Sequence, residues 1–473
     1  MRGRKKKKCR VFVYLFTILF AVSIYLPSRS FAGDMDILLD KLVNKGILTR
    51  PEAEELLNEM KEMKETEKKN IEVEKTKTEE EKPKTEAKEI GAPEWVKNLP
   101  DWIKNPPDWI KNIKFSGDLT LRYDYIDRKP PESSTAPDID RNRGRFRLRF
   151  GAEDQILDDV KVGFGLASGD GNPRSMFQTF NSEFLKKPIN IDYVYVAYTP
   201  VEWLGISAGK LKTNPIFRDN SLDFPASGLV WENTITPEGA ALVLNYPALL
   251  NLDAVSLDVF MNDAFFILDE FGSSGRSPHM FVLQPGFNLK IMKDINFKTA
   301  VAYYQFFDIK NKPELGNQPD PGDTNTLYTS GPLKGDYQFN YEAFVVSGEL
   351  GYMTPFPYMV PYVGVFGEFL RSLNATHDEG WIAGVRVGSP SLAKFADWQL
   401  QYSYRRLEPD AWLDIFPENN FYQGQTNTKG HYLWAGFGLA KNLSTSLTYY
   451  HATDILGPKQ PEDRLLVDLT LKF

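Results

Sequence analysis

The sequence predicts an all-β protein: a transmembrane antiparallel β-barrel of about sixteen strands, preceded by a short α-helical or coiled segment. Three observations carry this expectation. First, the closing segment Asp463–Phe473 puts Leu465, Val467, Leu469, Leu471 and Phe473 on one parity, and Asp468, Thr470 and Lys472 on the other. A strand sends successive side chains to opposite faces, and a segment of this length suits a tilted strand crossing a bilayer. Second, from residue 114 onward such alternating segments are joined by connections that are by turns short and long. Third, the chain is 42% hydrophobic and 13% aromatic with negative mean hydropathy. Those values disfavour a bundle of membrane helices but fit a wall whose lipid and lumen faces alternate.

Taken in order, residues 1–32 read as a secretory leader. Arg2, Arg4, Lys5 to Lys8 and Arg10 form a basic start, Val11 to Leu26 an apolar core, and Ser30-Phe31-Ala32 a small-residue cleavage site. The leader holds eight basic and no acidic residues, so its removal takes the formal charge from −7 to −15. The single cysteine, Cys9, leaves with it; no cysteine follows the cleavage point, as a lipoprotein would need, and the mature chain needs no disulfide. No later run approaches the length of a transmembrane helix.

Residues 33–70 form a helical neck, a possible coiled coil. Leu38, Leu39, Leu42 and Val43 recur at helical spacing, Thr49 and Glu52 make a capping box, and Leu56, Leu57, Met60 and Met63 extend a narrow apolar stripe. So short a stripe must pack on another copy or on the barrel, and self-association is weighed against a simple helical hairpin. Residues 71–113 are a charged tether and then a tryptophan collar. Trp95, Trp102 and Trp109 recur in Glu94-Trp-Val-Lys-Asn and two Asp-Trp-Ile-Lys-Asn repeats, with prolines between them. Indole favours the membrane–water boundary, so these three and Phe473 are expected at the membrane interface; a sugar-binding aromatic strip is the alternative.

Residues 114–473 are the wall. On the first strand Phe115, Leu119, Leu121, Tyr123 and Tyr125 face one way and Ser116, Asp118, Thr120, Arg122 and Asp124 the other. The return strand spans Arg141 to Ala152. Others are expected near 160–168, 190–198, 203–210, 238–246, 253–262, 280–291, 295–307, 337–351, 359–371, 380–388, 398–407, 430–439, 443–452 and 463–473. In 190–198 the run Tyr193-Val-Tyr-Val-Ala-Tyr198 is apolar on both faces, which leaves its parity open. Short links fall around Leu157-Asp158, Pro200-Val201, Met292-Lys293 and Ala440-Lys441. Long polar ones span 129–140, 169–189, 211–237, 263–279, 308–336 and 408–429 and are expected outside the cell. Sixteen strands leave an aqueous channel rather than a packed core.

Several stretches resemble a bacterial "putative porin" family. They are the hairpin from Asp192 to Lys210, Trp231-Glu232 followed by Thr236-Pro-Glu-Gly-Ala-Ala241, the Leu-rich segment 36–63, and Trp95-Val-Lys97 with Phe115-Ser-Gly-Asp118. Glu232 stands where that family usually has Asp. The terminal Phe473 is similar to the assembly signal of bacterial outer-membrane barrels. The resemblance implies an outer-membrane location, a periplasmic N-terminal segment and a general diffusion channel, and says little about the solute.

Enzymatic chemistry finds little to rest on. His279, His377, His431 and His451 match no metal spacing, and no Gly-x-Ser-x-Gly elbow or phosphate-binding loop is present. Gly169-Asp-Gly-Asn172 is better read as a turn than as a calcium loop, and Asn374-Ala-Thr376, a formal glycosylation sequon, means little if the host is bacterial. The one constellation with physical content is Arg141, Arg143, Arg145, Arg147 and Arg149, at a spacing of two on one strand face. On the lipid face each would cost about 2–4 kcal/mol near the midplane, so they and Arg122 are expected in the lumen, hydrated. There they either steer solutes by sign or neutralise wall carboxylates. Segment 211–237 joins the fifth and sixth strands, and if it folds inward Asp219, Asp223 and Glu232 face Arg143 to Arg149 across a constriction.

The reading is a water-filled channel for small hydrophilic solutes and ions, expected as a homotrimer. Its other partners would be outer-membrane lipid, the barrel-assembly machinery and, through the neck, the cell wall. No nucleic acid, cofactor or metal is expected. A substrate-specific channel for anions or oligosaccharides, a barrel enzyme and an envelope tether or adhesin are the alternatives.

Overall fold

The computed structural model describes residues 112–131, 138–212, 227–270, 277–315 and 324–473. The leader, neck, tether and Trp95, Trp102 and Trp109 lie outside the described residues, as do Asp219 and Asp223. Among the described residues sixteen long strands make the wall and one two-residue strand lies in a loop. In chain order they are β1 Lys114–Arg128, β2 Ile139–Leu157, β3 Val160–Ser168, the short β4 Gln178–Thr179, β5 Ile189–Val201 and β6 Leu204–Lys210. Next come β7 Glu238–Leu252, β8 Val255–Ile267, β9 His279–Ile291, β10 Ile295–Phe307, β11 Glu342–Met353 and β12 Tyr362–Ser372. The chain closes with β13 Glu379–Gly388, β14 Trp398–Leu407, β15 Thr428–Ala440, β16 Leu443–Asp454 and β17 Glu462–Lys472.

Each wall strand pairs antiparallel with its chain neighbour, and β17 returns to β1 in a register running from Asp118↔Lys472 to Arg128↔Glu462. Closure removes the sheet edges, the arrangement a bilayer demands of strands. The seam is finished by Gly117 and Phe473, whose backbones exchange hydrogen bonds of 2.9 and 3.0 Å. A Cβ on Gly117 would lie 2.7 Å from the Phe473 ring and 2.4 Å from the Arg149 carbonyl, so only glycine lets the last ring lie there.

The alternation of the sequence becomes inside and outside. On β1 Asp118, Thr120 and Asp124 are buried in the interior, while Leu121 and Tyr123 are exposed on the outer face. On β17 Leu466 is buried and Val467, Leu469 and Leu471 are exposed. The open parity of β5 resolves: Tyr193 and Tyr195 point in, and Val194, Val196 and Tyr198 point out.

Some ends move. β2 runs further at both ends than Arg141 to Ala152, and β7 continues to Leu252 across a register shift between Tyr246 and Leu250. β11 starts at Glu342 rather than near residue 337, because Tyr337 and Tyr341 belong to the segment before it and are fully buried. Their alternating apolar pattern serves an inner core, not the lipid face.

That core is the main departure from the expected open lumen. Residues 227–237, on the segment considered for an inward fold, turn into the barrel, and so do 308–315, 324–341 and 408–427, expected outside. Leu229, Val230, Trp231, Ile309, Leu315, Trp412, Leu413 and Phe416 pack against inward residues of β8 to β12, among them Phe266, Met280, Tyr304, Phe306 and Leu370. Trp231 and Phe416 approach to 4.6 Å between ring centroids, and Tyr304 and Trp412 to 4.8 Å. The cause is plain in the chain: runs such as Leu229-Val-Trp231 and Trp412-Leu413 are too apolar for a solvated loop, and burying them is favourable at about 25 cal/mol per Å². The lumen is therefore filled on one side and polar on the other, beside β15, β16, β17, β1 and β2.

Candidate functional site

The polar side is built on the odd-numbered arginines of β2. Their parity fixes them inside, and antiparallel pairing with β1 sets each against an inward carboxylate or its neighbour, as in Asp118↔Arg149 and Asp124↔Arg143. Arg143 Nη2 donates to Asp124 Oδ2 at 2.6 Å and Arg145 Nη1 to the same oxygen at 3.4 Å. Arg464 of β17 donates to both oxygens of Asp124, at 3.0 and 2.9 Å. Arg147 and Arg149 reach Asp118 at 2.8 and 2.5 Å. Arg122 holds Asp468 through two 2.7 Å bonds and also reaches Asn420 Oδ1 at 3.4 Å. Arg141 is exposed at the loop end of the same strand.

These arginines are paired and packed rather than merely hydrated. Charge-assisted bonds of this kind are short and directional, and breaking one partner of a buried pair is costly. The stretch is nonetheless cationic. Six guanidiniums, those of Arg122, Arg143, Arg145, Arg147, Arg149 and Arg464, touch three carboxylates, with Asp192 nearby as a fourth.

Glu232 sits where segments 227–237 and 408–427 join. Its backbone nitrogen donates to the Phe416 carbonyl at 2.6 Å, and its Oε2 accepts from the Asn419 nitrogen at 3.1 Å. Glu418 donates through its backbone nitrogen to the Gly228 carbonyl at 3.0 Å. The Glu418 carboxylate accepts from Arg405 at 3.2 Å and from the Tyr450 hydroxyl at 2.6 Å. Burial, reinforced by the Glu418 charge, pushes the Glu232 carboxyl up to about 7. Asp414 is also raised by burial, although the Thr324 and Asn325 backbone nitrogens donate to it at 2.9 and 3.1 Å.

Between these groups lies a cavity of about 140 Å³. Arg122 and Arg147 border it from the wall, Phe177 and Arg174 from segment 169–188, Glu232 from 227–237, and Trp434 from β15. The structure thus brings Arg122, Arg147 and Glu232 to one space, while the carboxylates in contact with the arginines are Asp118, Asp124 and Asp468. Among the described residues no group of three or more His, Cys, Asp or Glu is placed to hold a metal ion. What the space offers is a set of fixed charges and hydrogen-bonding groups around water-sized room.

Sequence reasoning did not pick out Asp124, Asp468, Arg464 or Phe177. The first three carried a usable signal, since they share the inward parity of strands that meet at the seam. Phe177 carried none, because nothing in the 169–188 segment announces that it enters the lumen.

A family model described as "Putative porin" matches residues 127–330 and 356–473. Among solved structures, the chain is similar to OprB of Pseudomonas putida, in a structure at high pH, with 11% identity and a TM-score of 0.50 over 80% of this chain and 97% of that one. It is also similar to Salmonella typhi OmpF in complex with daunomycin, with 12% identity and a TM-score of 0.43 over 76% and 97%. No curated protein matches the chain.

Proposed function

The chain belongs to the putative porin family, and from that premise we propose that it forms a water-filled channel for passive diffusion of small hydrophilic solutes and ions across the bacterial outer membrane. The observation that carries this reading is the closed wall of sixteen strands, apolar outside, with a polar and hydrated-sized space left on one side of its interior. The inward core narrows the passage and moves it off the axis, against β1 and β2. Solutes crossing there meet the guanidiniums of Arg122 and Arg143 to Arg149, whose excess over their carboxylates favours anions. In this reading Arg141 stands at the outer entry and Glu232 borders the passage from the 227–237 segment, while Asp219 and Asp223 lie outside the described residues. The protein works as a homotrimer.

Proteoliposome swelling with neutral solutes of increasing size tests the proposal. A rate that falls smoothly with solute size and rises linearly with concentration supports a diffusion channel. Saturation with one solute class points instead to a specific channel, for which the narrowed interior is the favouring observation. Impermeable vesicles containing correctly folded barrel contradict both.

A further inference from the structure

Segment 169–188 leaves β3 at Ser168, dips into the lumen and rejoins the wall as β4 beside β2. It is held at several points. Ser168 Oγ donates to the Met176 carbonyl at 2.8 Å, and Arg145 Nη2 donates to the Phe177 carbonyl at 3.2 Å. Arg174 donates to the carbonyls of Asp414 and Gly424 at 2.8 and 2.9 Å. Between these clamps stands Phe177, only 8% exposed.

The ring of Phe177 lies against three cations. The Arg122 guanidinium is 3.8 Å from its centroid, and those of Arg145 and Arg147 are each 5.4 Å away. A guanidinium donates hydrogen bonds along its edges and stacks through its flat faces. Here edges are taken by Asp468, Asp124 and Asp118, and the aromatic quadrupole attracts what remains. The Nε–H of Arg145 is buried with no hydrogen-bond partner among the described residues, a donor that an arriving anion would satisfy. Phe177 lines the cavity together with Arg122 and Arg147, where an arriving anion would be held.

We propose that Phe177 is a specificity-determining residue: its ring shields Arg122, Arg145 and Arg147 and limits how tightly the channel holds anions. This rests on the reading of the arginines as the element that senses charge. With the ring in place they contribute a diffuse positive potential, so anions pass without lodging. With the ring removed they become a contact site for multivalent oxyanions.

The test is block of the full-length channel in planar bilayers by inorganic tripolyphosphate. Phe177→Ala lowers the half-blocking concentration about two- to fivefold, the factor that corresponds to releasing a cation–π contact. The same change in an Arg145→Gln/Arg147→Gln background gives a smaller gain, because only Arg122 is left under the ring. Phe177→Leu, which keeps apolar volume without the aromatic face, tightens block in the same direction and serves if the alanine barrel does not assemble. Unchanged block in both variants, or a gain of undiminished size without the two arginines, which would report only a wider passage, overturns the proposal. Failure of the underlying reading is separable: Arg145→Gln/Arg147→Gln would then leave the reversal potential in a salt gradient unmoved, and the Phe177 proposal falls with it.

Discussion

The indole nitrogen of Trp412 donates to the Val230 carbonyl at 2.8 Å, tying the 408–427 segment to the 227–237 segment inside the barrel. Trp412 is fully buried and touches Trp231, Tyr304, Phe306 and Phe416. Truncating a buried aromatic of this kind costs about 3–5 kcal/mol. Trp412→Ala should loosen the inward core while leaving the wall closed, because the strand ladder does not pass through it. Single-channel recording should show larger or noisier conductance from a barrel that still shifts on heating in gel electrophoresis. Unaltered conductance would mean that the core does not border the passage.

Glu232 makes the junction of those segments sensitive to pH. The groups facing it are Glu418, held by Arg405 and Tyr450, together with Arg174 and the Asn419 and Thr234 amides. Its carboxyl in the folded protein is raised from 4.5 to about 7, so the folded junction favours the protonated acid. The junction is therefore most stable below the ordinary value, and weakens as pH climbs from there to about 7. Limited proteolysis of the inward segments should accelerate between pH 5 and pH 8, units on the scale over which such a group titrates. Glu232→Gln should flatten that dependence; an identical pH profile in the variant would assign it to another group.

Asp124 is shared by Arg143, Arg145 and Arg464 and has no exposure, whereas the Arg149 side chain is 40% exposed. Removing the shared carboxylate leaves three guanidiniums short of a partner. Asp124→Asn should destabilise the barrel by about 3–5 kcal/mol, as the breaking of a buried ion pair does, and Arg149→Gln by far less. The temperature of heat modification ranks the two variants, and equal values would contradict the network as a structural element.

The seam gives a fourth prediction. Deleting Phe473 removes one side of the paired backbone bonds with Gly117, and Gly117→Val forces side-chain atoms into the Phe473 ring. Both changes should lower the yield of heat-modifiable barrel without affecting export. Normal assembly of both would remove Phe473 from the closure.

The wall was legible because one rule, alternation of lipid and lumen faces, governs every strand and the links between them. Leu465 to Phe473 and Asp118 to Tyr125 read correctly for that reason. The interior was less legible. Trp231 and Trp412 are far apart in sequence and on segments with no regular period, so their meeting depends on the closed wall bringing their loops together. Tyr193 and Tyr195 face inward yet apolar, and their pattern makes sense only once that core is known. The arginines of β2 were conspicuous by spacing. Their partners on β1 and β17 were visible only as polar-face residues, and the pairing needed the seam register to become specific.

The most direct test of the channel and its charge-sensing wall is the reversal potential of the purified protein in a planar bilayer under a KCl gradient. At about 0.1 M salt, charges act over about 10 Å, so the groups nearest the passage dominate over the net charge of the whole chain. The account predicts discrete conductance steps with a reversal potential on the anion side, moved toward cations in Arg145→Gln/Arg147→Gln, most clearly at low salt. Steps whose reversal potential is the same in both proteins would contradict the arginines as a selectivity element, and absence of steps from folded barrel would contradict the channel itself.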